Sequence, residues 1–84
     1  MSQKATTKDE LFLVKLFEMA SALGDPQAEI DRYAVARAIG QNDRGGGVIA
    51  RDLAQANFVK KGEGDAVYLT EHGLRLVYAL LGQK

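Results

Sequence analysis

Apolar positions along this chain gather into four blocks with helical spacing, and two short strand-like runs lie between the third block and the fourth. The first block, Leu11 to Leu23, follows Thr7-Lys8-Asp9-Glu10. This is a capping box, in which the threonine hydroxyl accepts the N3 amide and the glutamate reaches back to the cap. Gly24 supplies a left-handed stop and Pro26 blocks continuation, so the pattern predicts a helix from Lys8 to Leu23. The second block sets Ile30, Tyr33, Ala34, Ala38 and Ile39 on one face and stops at Gly40. Its start has two candidate caps. Asp25 precedes a proline suited to the first helical position, whereas Asp31 would leave Ala28 to Ile30 as a short extended link.

The third block ends at Asn57, a residue that tolerates the left-handed conformation of a helix stop. Asp43 is a sound cap for its start, but Gly45-Gly46-Gly47 follows, and each glycine costs roughly 1 kcal/mol relative to alanine inside a helix. The helix therefore begins either near Val48 or at Arg44 with a soft first turn. Ile49, Leu53 and Ala56 are expected to face the core, with Arg51, Asp52 and Gln55 facing outward. The glycine triplet itself has three readings. It is a flexible loop, a run of exposed amides suited to an anion, or a seat for tight packing against another chain. Phe58 to Lys61 and Ala66 to Leu69 are strand-like around the turn Gly62-Glu63-Gly64-Asp65, which predicts a β-hairpin. Thr70 caps a last helix over Glu71 to Leu81, and Gly73 near its start permits close approach by another backbone. The fold class expected is thus mainly α with a small β-hairpin, one domain over residues 1–84 with a flexible tail at residues 1–6.

Composition narrows the function. The chain holds 84 residues and no cysteine, which excludes disulfides and thiolate metal sites. The single histidine, His72, cannot build a zinc site alone. Thr70, Glu71 and His72 lie together for reasons of helix capping, and no convergent carboxylate pair is evident, so no catalytic residue and no cofactor are expected. The glycine triplet lacks the Gly-Lys-Ser/Thr of a nucleotide-binding loop. The polar N-terminus has no signal-peptide core, and no run approaches the ~20 apolar residues of a membrane span, which points to a cytoplasmic protein without membrane association. Net charge is zero, but residues 1–43 carry five Lys/Arg against seven Asp/Glu, and residues 44–84 carry six against four. The basic excess falls on the half with the third helix and the hairpin.

The order helix, helix, turn, helix, hairpin, helix resembles the winged helix-turn-helix domains of MarR- and PadR-type transcriptional regulators. The resemblance runs from Asp31 to Leu76. It rests on Tyr33 to Gly40 as the second helix, on Leu53 four residues before Asn57, and on Leu69-Thr70-Glu71-His72-Gly73-Leu74 after the hairpin. Asn57 stands where such families commonly have glycine. The resemblance implies double-stranded DNA as partner, read by the third helix and the wing. Carried onto this chain, the reading face would hold Arg44, Gly46, Gly47, Val48, Arg51 and Gln55. Arg51 and Gln55 would then meet bases, and Arg44, Lys60 and Lys61 would meet phosphates.

The first and last helices are more apolar than one buried stripe requires, and in MarR- and PadR-like proteins the terminal helices build a dimer. A homodimer through Leu11, Val14, Leu76 and Leu80 is therefore expected, unless the two helices satisfy each other within one chain. The expected function is a small dimeric DNA-binding regulator. The alternative is a winged-helix module that binds protein and no DNA, because Asp43, Asp52, Glu63 and Asp65 lie near phosphate-facing ground.

Overall fold

The computed structural model describes residues 7–82, so the tail expected at residues 1–6 lies outside the described residues. Four helices and a small antiparallel sheet follow the order α1 (Lys8–Ala22), β1 (Ile30–Asp31), α2 (Arg32–Ala38), α3 (Asp43–Gln55), β2 (Val59–Lys61), β3 (Ala66–Leu69) and α4 (Glu71–Leu80).

The helix ends follow local chemistry. Thr7 Oγ1 accepts the Glu10 amide at 3.1 Å while Glu10 Oε1 accepts the Thr7 amide at 3.2 Å, so the capping box closes. Gly24 at φ +96° and Asn57 at φ +70° are the left-handed stops after α1 and α3. Of the two candidate caps for α2, Asp31 is the one used: its carboxylate accepts the Tyr33 amide at 2.9 Å. Asp25 instead turns the chain, accepting the Gln27 amide at 2.9 Å. Thr70 caps α4 by accepting the Gly73 amide at 2.9 Å.

Several expectations need correction. The link before α2 is a third strand, β1, whose residues pair Ile30 with Val67 and Asp31 with Ala66. The sheet order is therefore β1-β3-β2, with β3 central. Two residues are too few to show an alternating pattern, so only the partner reveals this strand. Of the two starts considered for α3, the early one is close to that observed at Asp43, so the glycine triplet is helical rather than a flexible loop. It forms the first turns of α3, whose cap is Asn42 rather than Asp43, with Asn42 Oδ1 accepting the Gly45 amide at 2.8 Å. Gly46 is buried, and a Cβ there would overlap the Cβ of Ala36 on α2. The helical cost of that glycine is offset by close packing of the two helices.

The core gathers Phe12, Leu13 and Leu16 of α1, Val35 of α2, Ile49 and Leu53 of α3, Val59, Val67 and Leu69 of the sheet, and Val77 of α4. Helix α1 packs against α2, α3, α4, β1 and β3, which explains why its apolar surface exceeds one stripe. Gly73 is buried, and a Cβ there would overlap the Phe58 carbonyl oxygen, so α4 enters against the base of the hairpin. Ala56, expected in the core, is instead the exposed residue that closes α3.

The neighbouring glycines should respond oppositely to alanine. Gly46→Ala inserts a methyl group into the α2–α3 contact and should cost about 1–3 kcal/mol. Gly47 has nothing within 4 Å of a Cβ, and Gly47→Ala should stabilise by up to about 1 kcal/mol. Urea denaturation of the two variants checks both signs.

Candidate nucleic-acid interface

Helix α3 has two opposite faces set by its 3.6-residue period. Gly46, Ile49, Ala50 and Leu53 are buried. Arg44, Val48, Arg51 and Gln55 are exposed and recur at spacings of four, three and four residues, which aligns them as one outward stripe. The stripe runs about 16 Å along the helix. Gly46, expected on this face, points instead into the α2 contact, and Gly47 sits on the flank of the stripe with open space beside it.

Two ion pairs shape the charge around the stripe. Arg37 at the end of α2 reaches Asp43 at the start of α3, Nε to Oδ1 3.3 Å, so the acid nearest the helix start is partnered within the chain. Arg51 Nε lies 3.7 Å from Asp52 Oδ1. Both members of each pair are well exposed, and such contacts are weak and exchangeable in water. Arg44, Lys60 and Lys61 form no ion pair among the described residues. A cleft of about 400 Å³ separates the start of α1 from the start of α3; Arg44 and Val48 line it together with Lys8, Asp9 and Asp52.

The two lysines stand on the edge strand β2. Lys60 lies opposite Tyr68, and Lys61 lies opposite the buried Val67. Alternation sends the pair to opposite faces of the sheet, yet both side chains reach solvent because Lys61 is the last residue of its strand. The hairpin is held in place by contacts that no local pattern announces. The Asp65 carbonyl accepts both the Arg32 amide at 3.0 Å and Arg32 Nε at 2.9 Å. Glu29 Oε1 accepts the Glu63 amide at 3.2 Å. Arg32 and Glu29 are the residues that sequence reasoning missed, since each acts on a partner more than thirty positions away.

The hydrophobic residues expected at an interface divide. Val14 is 2 % exposed and Leu80 is 8 % exposed, so the chain's own core covers both. They are not surface contacts, because α1 is enclosed by several elements and α4 packs on it. Leu11 is 36 % exposed, and Leu76 is partly buried against the core. Leu23 and Tyr78 are also exposed, with Tyr78 set edge-on against Phe17 at 5.5 Å between ring centroids. His72 stacks on Phe58 at 4.6 Å. Among the described residues no group of acids and histidine could hold a metal ion, and no helix is long and apolar enough to cross a membrane.

Comparison with protein-family models, curated proteins and solved structures finds no match for this chain.

The cap at Asn42 governs how firmly the first turn carrying Arg44 is held. Asn42→Ala should cost about 1 kcal/mol of stability, measured by thermal or urea unfolding. Amide exchange should accelerate first at Gly45 and Gly46, whose N–H groups bond to the Asn42 side chain and carbonyl.

Proposed function

We propose that this chain is a small winged helix-turn-helix protein that binds double-stranded DNA as a dimer and acts in the cytoplasm as a transcriptional regulator. The observation that carries the proposal is the outward stripe Arg44, Val48, Arg51 and Gln55, directly opposite the buried row of α3. Long hydrogen-bonding side chains on an exposed helix face suit the base edges of a major groove. The element order and the β1-β3-β2 sheet are compatible with a winged-helix class, in which β2 and β3 form the wing. Arg51 and Gln55 would contact bases. Arg44 at the helix start, with Lys60 and Lys61 on the hairpin, would contact phosphates, and among the described residues none of these three has an ion pair to give up.

The dimer in this proposal uses α1 and α4. Leu11 and Leu76 remain available to it, with Tyr78 added, whereas Val14 and Leu80 serve the core. A two-fold assembly favours palindromic half-sites about one helical turn apart.

A second reading, a protein-binding module without DNA affinity, is favoured by Asp52 beside Arg51 and by the zero net charge. Binding to a random DNA pool at two salt concentrations separates the two readings. The DNA reading expects salt-dependent binding, and a complete lack of it at low ionic strength would sink that reading.

Lys60→Ala should weaken binding to all sequences alike and reduce the salt slope by roughly 0.9. Arg51→Ala should cost about 1–3 kcal/mol and relax preference at one base pair. Sedimentation at high micromolar concentration should report a dimer, and a monomer there would reject the assembly.

A further inference from the structure

Val48 is the one residue of the exposed α3 stripe that neither charge nor hydrogen bonding explains. It is 43 % exposed, lies outside the core cluster, and stands at the cleft that Lys8, Asp9 and Asp52 also line. A β-branched residue on an exposed helix face also gains nothing from helix propensity. Its place is specific. Arg44 lies one turn before it and Arg51 just under one turn after it, about 6 Å and about 4.5 Å along the axis. Beside it Gly47 leaves open space where a side chain would stand, so a surface lying on the stripe can close down on the Val48 isopropyl group.

A polyanion held by the two flanking arginines would press an apolar group against whatever lies between them. On the floor of a major groove the one apolar group that stands out from the edge is the C5-methyl of thymine, since the other groups are donors, acceptors or the small C5–H of cytosine. Arg44 and Arg51 stand roughly one to two base-pair steps to either side of Val48, close enough for one groove segment to engage all three. From this we infer that Val48 is a specificity residue that reads a thymine methyl within each half-site, an inference that rests on the DNA-binding reading above.

The test uses a duplex recovered from a random pool by the wild-type protein, with each thymine replaced singly by deoxyuridine, which removes the C5-methyl and keeps the Watson–Crick edge. Titration by fluorescence anisotropy should show one thymine per half-site at which the replacement weakens binding about fourfold, the value expected for one buried methyl group. Val48→Ala, which lies on the surface and moves to a better helix former, should still bind the thymine duplex. Its discrimination at that same position should fall below about twofold, because the contact surface is largely gone. Uniform indifference to deoxyuridine would overturn the assignment while leaving DNA binding intact. An unchanged fourfold effect in Val48→Ala would also overturn it, by assigning the methyl contact to another residue. Failure of the wild-type protein to bind any thymine-containing duplex would remove the DNA-binding reading itself, and the assignment with it.

Discussion

Enclosure of α1 is the constraint on which the rest of the structure depends. A chain of this size buries a smaller fraction of its surface than a larger domain does, and its core has to be drawn from few residues. Phe12, Leu13 and Leu16 meet the other helices and the sheet together, so one helix serves as the common wall for every layer. Each of these side chains contributes about 1.5–3 kcal/mol through burial, and removing one would loosen several contacts at once. The positions of α3 and of the hairpin are set against this wall.

A second close contact fixes the geometry of the exposed stripe. Gly46 lets α3 sit against Ala36 of α2, and the Arg37–Asp43 pair spans the turn between the same helices. An outward row of side chains on α3 is useful only if the helix is held at a definite angle. The absence of a Cβ at one inward position is what allows that angle.

The parts of this fold that were legible in the sequence are the ones decided within a few residues. Thr7 with Glu10, Thr70 with Gly73, and Asn57 as a left-handed stop each involve neighbours in the chain, and each could be read from residue type and spacing. The parts that were not legible are decided by distant partners. Strand β1 exists only because Ile30 finds Val67, and the glycine triplet is helical because Ala36 rewards Gly46 across the turn. Val14 and Leu80 carry the same lesson, since periodicity counts apolar residues on a helix but does not say how many sides of that helix will be covered. For the candidate site, period placed Arg51 and Gln55 outward, whereas Arg44 and Val48 joined the row only through the winged-helix resemblance, which also put the buried Gly46 there. The Arg32 and Glu29 contacts that steady the hairpin have no local signature.

The tethering of the hairpin has a mechanical consequence. Its turn is bound through Glu63 to Glu29 and through Asp65 to Arg32 at the start of α2, and its base is clasped by the Thr70 hydroxyl, which donates to the Asn57 carbonyl at 2.7 Å. The hairpin is therefore tied at both its turn and its base, beside the end of α3. A ligand that spans both elements finds a surface already in its final shape, and little ordering entropy is lost by the protein on contact. Under the proposed DNA-binding reading the adapting would fall to the ligand, so its own bending stiffness would enter the affinity, and two polymers offering identical contact groups would be told apart by how readily each one curves.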